Sequence, residues 1–196
     1  MTLAGLARAL QAHAPAPLAL ERIAPEHLPP GGFGQAAVLV PLHEAQGVLS
    51  VLLTLRRHDL RHHAGQESFP GGRVEPGEAP LDAALREAQE EIGLPPGRAT
   101  VLGRLSETVV LQSAFRLTPW VASVPYPYPY AAAPREVEAI WHVPLPALLA
   151  PGVHRTERLL AYGREVDVHY YDVEGRTIWG ATARVLSELL GIWRTV

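Results

Sequence analysis

The residues best suited to chemistry are a group of acids around one arginine in the segment 72–94. Within it, Glu87, Glu90 and Glu91 have the spacing i, i+3, i+4, which would place them side by side on a helix. Like charges at this spacing repel one another, and a cation among them would reverse that repulsion. Carboxylate oxygens are the ligands that hard divalent cations prefer. The spacing therefore predicts a divalent-metal site, and an ordinary charged surface helix is the alternative interpretation.

A helix ending before Gly93 would hold these acids. Pro80 is typical of a first helical turn, and Gly93 of the position just past a helix end. Apolar residues recur between them at helical spacing and form one stripe, which consists of Leu81, Ala84, Leu85, Ala88 and Ile92. On a helical wheel Glu91 falls at the edge of this stripe and Glu87 a little further round. We therefore expect the acids to line a groove beside the core.

The same segment matches a longer pattern of glycine, glutamate, an Arg-Glu pair, a Glu-Glu pair and a final glycine. The residues that fill it are Gly72, Glu78, Arg86, Glu87, Glu90, Glu91 and Gly93. This pattern resembles the signature of the Nudix hydrolases, with one departure at Ala88, where the family usually has a bulky aliphatic residue. The resemblance implies an α/β/α sandwich in which the motif forms a loop-helix-loop. It also implies an enzyme that hydrolyses a nucleoside diphosphate linked to another group.

The resemblance also implies a metal site. In it Glu87 and Glu91 bind Mg²⁺ or Mn²⁺, with help from Glu90 and from a backbone carbonyl of Gly71 or Gly72. Such a cation would neutralise charge on the diphosphate and lower the pKa of a bound water.

Further catalytic roles follow from the same resemblance. Arg86 would orient the carboxylates, and its position four residues before Glu90 predicts a pair between these two residues. Glu78 is the remaining acid of the motif. The general base varies across the family, and it is either a motif glutamate or an acid on a later loop. Glu136 and Glu138 are the candidates for that later acid.

A second informative segment precedes the acidic one. It consists of L-L-T-L-R (52–56), L-R (60–61), G-Q (65–66) and S-F-P-G-G (68–72). These runs resemble the additional signature of the coenzyme A pyrophosphatase branch of the Nudix family. Arg57 replaces the usual serine of that signature, and Glu67 replaces an aliphatic residue. The run I-W-G-A-T-A over 178–183 also resembles this branch.

The branch resemblance predicts substrate contacts for six residues of this segment, which are Thr54, Arg56, Arg61, Gln66, Phe69 and Pro70. Coenzyme A carries a 3′-phosphate in addition to its diphosphate, and guanidinium groups bind phosphates through paired hydrogen bonds. Arg56 and Arg61 are therefore candidate phosphate ligands, with solvated charges as the alternative. Glu67 is either a further metal ligand or a change at the surface.

The implied reaction is hydrolysis of coenzyme A or an acyl derivative to 4′-phosphopantetheine and adenosine 3′,5′-bisphosphate. Two alternatives stay open. One is a Nudix hydrolase acting on another substrate, such as ADP-ribose or a reduced nicotinamide dinucleotide. The other is a Nudix module that binds a nucleotide without turnover, although such a module has no need of all the motif acids.

The elements that must position these residues indicate one mixed α/β domain over 1–196, with helices packed on a sheet. We expect an N-terminal helix and connector over 1–34 and the core over 35–196. Strands are predicted over 36–42, 48–55, 100–104, 107–111, 117–124, 138–143, 159–162 and 166–172, and helical segments over 3–12, 80–92, 145–149 and 180–193. With 196 residues, 47% of them hydrophobic, the chain can bury a substantial core.

Composition argues against nucleic acid and membrane as partners, and the resemblance implies a small-molecule nucleotide substrate. The net charge is -3 and no basic tract appears, which argues against polymeric nucleic acid. The longest apolar runs, such as 36–42, are too short to span a membrane, and no secretory signal is recognisable. The chain contains no cysteine and therefore no disulfide framework, which fits a cytoplasmic protein.

Overall fold

The structure, a computed structural model, describes residues 2–18, 20, 23, 25–60, 63–161 and 164–195. The α-helices of this part of the chain are α1 (Leu3–Ala12), α2 (Pro80–Ile92), α3 (Leu145–Leu148) and α4 (Gly180–Trp193). Its strands are β1 (Gly34–Ala45), β2 (Val48–Arg56), β3 (Glu67–Ser68), β4 (Gly71–Arg73), β5 (Thr100–Arg104), β6 (Thr108–Val110), β7 (Phe115–Ser123), β8 (Val137–Pro144), β9 (His154–Ala161), β10 (Arg164–Val173) and β11 (Arg176–Trp179).

The large sheet is mixed and is built around β1. Strand β1 pairs in parallel with β7 and antiparallel with β2 and β4. Strands β3 and β8 extend the sheet beyond β2, and β5 and β6 pair with β7. A hairpin joins β1 and β2 through a two-residue loop of Gln46 and Gly47, with φ values of 51° and 76°. Such left-handed turn residues match the twist of the strands that they join.

Helices cover both faces of this sheet, which confirms the predicted α/β/α sandwich. On one face, small and aliphatic residues of α2 pack against β1 and β2 in one apolar cluster. On the other face, α1 and α4 pack in a second cluster with alternate residues of the same strands. Because β1 is buried on both sides, its sequence reads as a continuous apolar run and not as an alternation.

Helix α2 has the predicted bounds but a shifted buried face. Gly93 ends the helix at φ 68°, and its N–H donates to the carbonyls of Ala88 and Gln89. The fully buried positions include Ala83 and Ala88, whereas Leu81 and Leu85 of the predicted stripe are only half-buried. Small side chains facing the sheet let the helix approach closely, which explains the departure from the family pattern at Ala88.

A smaller antiparallel sheet has the strand order β11-β10-β9. Its middle strand β10 packs against α4 and α3. The strand predicted over 159–162 begins earlier, at His154, and position 162 lies outside the described residues. Strands β3, β4 and β11 were not predicted. Among the described residues, no helix combines the length and hydropathy that crossing a membrane would require.

Candidate active site

Glu91 is the most deeply buried acid of α2, with 3% of its surface exposed. Its Oε2 accepts a hydrogen bond from the backbone N–H of Gly71 at 3.1 Å, and its Oε1 accepts one from Nη1 of Arg56 at 3.4 Å. Burial raises the pKa of Glu91 to about 7, while Arg56 and the Gly71 N–H lower it. The negative charges of Glu87 and Glu136 also raise this pKa. The neighbouring groups therefore compensate the negative charge of the Glu91 carboxylate only in part.

Arg86 connects the acids of the motif. Its Nε and Nη2 donate to the two carboxylate oxygens of Glu78 at 2.9 and 3.1 Å, which is a paired, fork-like contact. Its Nη1 donates to Oε1 of Glu87 at 2.8 Å. The predicted pair with Glu90 is present but longer, at 3.5 Å. Glu78 therefore holds the guanidinium, and the guanidinium in turn orients Glu87.

Glycines of the preceding loop leave room for these groups. A Cβ on Gly72 would collide with the carboxylate of Glu87, and a Cβ on Gly71 would collide with the carbonyl of Ala37. Strand β4 pairs with β1 here, with Gly71 opposite Val38. The Gly-Gly pair thus has a steric reason, because a side chain at Gly71 would meet the backbone of β1 and one at Gly72 would displace the Glu87 carboxylate.

Two of the three predicted carboxylate ligands suit a divalent cation. Glu87 and Glu91 are close enough for the charge of the first to raise the pKa of the second, and burial raises the pKa of both. Glu90, by contrast, has 61% of its side chain exposed and has Arg86 as its ion-pair partner. No three histidine, aspartate or glutamate side chains converge as a complete cage in the described part of the chain. A cation at Glu87 and Glu91 would take its other ligands from carbonyls, water or substrate, as Mg²⁺ commonly does.

Glu136 lies on the loop before β8, close enough to the acids of α2 for its charge to act on them. Its charge raises the pKa of both Glu87 and Glu91. The loop is joined to α2 by a hydrogen bond from the N–H of Ala133 to the carbonyl of Glu91 at 2.9 Å. Glu138 instead lies 3.8 Å from His58.

Arg57 fastens the loop that carries Glu136. Its backbone N–H donates to the carbonyl of Glu136 at 3.0 Å, and its Nη1 donates to the carbonyl of Pro134 at 3.2 Å. The guanidinium is held in turn by two 2.8 Å hydrogen bonds to Asp59. This departure from the branch signature therefore has structural partners.

A cleft of about 1420 Å³ runs from the glycine loop along the edge of the large sheet. Three of the predicted substrate contacts line it, namely Arg56, Gln66 and Phe69, together with Gly71 and Gly72. Arg61 lies outside the described residues.

Two predicted substrate contacts are placed elsewhere. Thr54 is 1% exposed, and its hydroxyl donates to the carbonyl of Ser68 at 3.1 Å. Pro70 is buried, and its carbonyl accepts a hydrogen bond from the N–H of Leu39 at 2.9 Å. Neither is among the residues that line the cleft. Both support the loop from behind, because their polar atoms are already bonded to the sheet.

Other walls of the cleft come from segments that carried no assigned role. The first turn of α4 and its approach contribute Trp179, Gly180, Ala181 and Thr182, within the run that resembles the coenzyme A branch. The N-terminal connector contributes Ala16, Pro17 and Leu18.

The connector is held in place across the cleft. The N–H of Ala16 donates to Oγ of Ser106 at 2.8 Å, and that hydroxyl donates to Glu188 at 2.6 Å. Glu188 also contacts Nε2 of His13 at 2.9 Å. No local pattern in the sequence indicates this arrangement.

An α/β/α sandwich with an acid-bearing helix against a glycine loop defines the class of diphosphate hydrolases that the sequence resembles. The model of the NUDIX domain matches residues 33–162 of the chain. The uncharacterized Nudix hydrolase NudL of Salmonella paratyphi B is 40% identical over 156 residues, which cover 79% of this chain and 80% of that protein. The chain therefore belongs to the Nudix family and is a Nudix pyrophosphohydrolase, a class that generally uses divalent metal ions.

Solved structures show the same fold. The Nudix hydrolase RenU from M. Smegmatis is 26% identical, and the match covers 60% of this chain and 74% of that one with a TM-score of 0.51. A MutT/nudix family protein from Enterococcus faecalis is 18% identical, and the match covers 84% of this chain and 62% of that one with a TM-score of 0.55.

Proposed function

We propose that this enzyme hydrolyses the diphosphate of coenzyme A or an acyl-coenzyme A, and releases 4′-phosphopantetheine and adenosine 3′,5′-bisphosphate. The main support is that residues of the coenzyme A signature line the same cleft as Gly71 and Gly72, the glycine loop beside the proposed metal site. Arg56 links the two parts, because it lies on that cleft and also contacts Glu91 at 3.4 Å.

Glu87 and Glu91 are the residues that would hold Mg²⁺ or Mn²⁺. The bound cation would offset the charge of the diphosphate and lower the pKa of a coordinated water. Arg86 keeps the Glu87 carboxylate in position through its 2.8 Å hydrogen bond, and Glu78 keeps Arg86 in place.

Arg56 is suited to a phosphate oxygen. Its side chain is 23% exposed, and within the described residues only its Nη1 has a side-chain partner, which is Glu91. The planar guanidinium offers further N–H groups on the same plane, which is the geometry that phosphates and carboxylates accept. The cleft, with a volume of about 1420 Å³, is larger than the roughly 300–1,000 Å³ of common ligand pockets and has room for a substrate as long as coenzyme A.

Glu136 is the better placed of the two later-loop candidates for the general base, because its charge acts on Glu87 and Glu91. We predict that Glu136→Gln lowers kcat by about 100-fold or more, whereas Glu138→Gln, a matched change two residues away, leaves kcat within twofold. Steady-state kinetics over a range of pH values measure both. Equal losses in the two variants would contradict the assignment, and unchanged kcat in both would leave the role to a motif glutamate such as Glu90.

The substrate itself is tested by incubating the enzyme and Mg²⁺ with coenzyme A, ADP-ribose and a reduced nicotinamide dinucleotide, and by separating the products chromatographically. We expect the highest kcat/KM for coenzyme A, with the two products named above. Arg57 and Glu67 depart from the branch signature and favour the alternative of another dinucleotide, so faster turnover of ADP-ribose would overturn the proposal. Binding without any turnover would indicate a non-catalytic module. Glu91→Gln protein serves as the control for contaminating hydrolases.

A further inference from the structure

Arg73 is an exposed cation on the wall of the cleft, directly after the glycine loop. Its backbone is tied to the motif, because its carbonyl accepts a hydrogen bond from Nη2 of Arg86 at 3.0 Å. A Cβ on the preceding residue, Gly72, would meet the Glu87 carboxylate. Successive residues of a strand point to opposite faces. The side chain of Arg73 is therefore directed away from Glu87 and lies along the cleft wall.

An aromatic ring holds the Arg73 guanidinium in place. The central carbon of the guanidinium lies over the ring of Phe115, 4.8 Å from the ring centre, which is within the range of a cation–π contact. Phe115 lines the cleft as well. A guanidinium that stacks on an aromatic face keeps the N–H groups at its rim for oxygen acceptors. The arginine is therefore restrained in position and still able to donate hydrogen bonds to a ligand.

The register of three strands brings this ring and this cation together. On β1, Gly34 lies beside Phe115 of β7, and Ala36 lies opposite Arg73 of β4. Strand β1 therefore separates the two residues, and the ring has to lie across it. Gly34 leaves the space for this, because a Cβ at that position would lie 2.7 Å from the Phe115 ring. The stacked pair is thus a product of the sheet and not of neighbouring positions in the chain.

The acids on the same cleft have cations of their own. Glu67, which is buried and therefore not a change at the surface, contacts Arg176 at 2.8 Å. The other acids among the described lining residues also contact arginines, namely Glu107 with Arg104 and Arg116, and Glu165 and Asp167 with Arg158. None of these four acids depends on Arg73 for its neutralisation. The positive charge of Arg73 is therefore available to an anionic group that enters the cleft.

We propose that Arg73 binds the 3′-phosphate of coenzyme A, and that Phe115 is the residue that positions its guanidinium. This inference rests on the proposed function, in which the diphosphate is held beside Glu87, Glu91 and Arg56. Coenzyme A carries one further phosphate, a monoester on the ribose. Because Arg73 is directed away from Glu87, the monoester suits it better than the metal-bound diphosphate. Paired hydrogen bonds from a guanidinium to a phosphate are strong and also fix its orientation.

The test removes the phosphate from the substrate and the guanidinium from the enzyme, separately and together. Steady-state kinetics with Mg²⁺ compare coenzyme A with dephospho-coenzyme A, which lacks only the 3′-phosphate, for the wild type and for Arg73→Gln. We expect the wild type to prefer coenzyme A in kcat/KM by about 10- to 100-fold, and the variant to retain a preference of about twofold or less. The loss should fall on coenzyme A alone and should appear mainly as a higher KM.

Three further variants separate the phosphate contact from packing. Phe115→Leu removes the ring and keeps the arginine, so it should lower the preference for coenzyme A by a smaller factor, about two- to tenfold. Arg73→Lys keeps the charge without the paired donors; it should give a partial loss, and it carries the test if Arg73→Gln fails to fold in thermal unfolding. Arg155→Gln is the matched control, because Arg155 lies over the ring of Tyr170 at 4.0 Å and is not among the residues that line the cleft. It should keep the wild-type preference.

Equal losses for the two substrates in Arg73→Gln, or an unchanged preference, would overturn the inference, as would a wild type that does not distinguish them. Failure of the wild type to hydrolyse coenzyme A overturns the proposed function instead. Isothermal titration calorimetry then compares adenosine 3′,5′-bisphosphate with AMP, which differ by the same phosphate. Tighter binding of the bisphosphate that is lost in Arg73→Gln would sustain the role of Arg73 by itself, and equal binding of the two nucleotides to the wild type would end it.

Discussion

Replacing Glu91 with glutamine tests whether this acid cluster is built around a cation. The substitution removes a charge and preserves the shape of the side chain, and the amide oxygen can still accept the hydrogen bond of the Gly71 N–H. If the site requires a cation for balance, the variant should lose activity and yet be more stable than the wild type when metal is removed.

The size of the stability effect follows from the pKa of Glu91. Burial raises this pKa from 4.5 to about 7, after the opposing effects of Arg56 and the Gly71 N–H are included. A difference of this size corresponds to about 3 kcal/mol. Because the folded protein holds the proton more tightly than the unfolded chain, the contribution is fully present below pH 4.5 and is lost as the pH rises through 7. In the metal-free state at pH 8, Glu91→Gln should therefore be more stable by about 3 kcal/mol, with little difference at pH 4.5.

Urea unfolding in the presence of a chelator, at pH 4.5 and at pH 8, measures this difference. With a slope of about 1–3 kcal/mol per molar urea, the midpoint at pH 8 should rise by about 1–3 M in the variant. Adding Mg²⁺ should stabilise the wild type and not the variant, because the cation binds only the folded site. At the same time kcat of the variant should fall by about three orders of magnitude or more. Equal urea midpoints at pH 8 would refute the burial argument, and wild-type activity would remove Glu91 from the site.

Two further predictions concern a glycine and a histidine. Gly72→Ala places a methyl group against the Glu87 carboxylate, which can move aside, so we expect kcat to fall about 10- to 100-fold with little loss of stability. Gly97→Ala, where a Cβ meets open space, is the control. A similar loss of kcat in both variants would contradict the steric role of Gly72. Burial and the neighbouring His142, at 2.8 Å, lower the pKa of His43 to about 4. Since the unfolded chain then binds the proton more tightly, stability should decrease as the pH falls from 6.5 towards 4, and His43→Phe should flatten this dependence in urea unfolding; an unchanged slope would argue against it.

The catalytic helix was predictable because every signal for it is local. Pro80 and Gly93 mark its ends, and the apolar positions between them have one period. The partners of its charged side chains were harder to predict from the sequence. Arg86 pairs with Glu90 as expected, at 3.5 Å, but its shorter, two-bond contact is with Glu78, on a loop that the helix approaches only in the folded chain. A contact of this kind depends on loop geometry that no helical spacing encodes.

Some strands and some walls of the cleft were not predicted, because the signals for them in the sequence are too short or too distant. Strands β3, β4 and β11 have only two to four residues, too few to show a period of two. The connector reaches the cleft through a hydrogen bond between Ala16 and Ser106, which are 90 positions apart. The composition of these two segments does not indicate this contact. Thr54 was assigned to the cleft because it belongs to a motif, whereas its hydroxyl serves the pairing of β2 with β3.

The two departures from the coenzyme A signature gain meaning from their partners. Arg57 is matched by Asp59 and by the carbonyl of Pro134, and Glu67 is matched by Arg176. Each replacement therefore has polar partners in the folded chain. Arg176 lies outside the stretch 33–162 that matches the family model, as do the connector and the first turn of α4. The part that matches the family model thus carries the acids and the glycine loop, while the connector and the first turn of α4 add further walls to the cleft. For this reason we expect substitutions in these added walls to alter which substrate is bound, and substitutions at Glu91 to abolish turnover of every substrate.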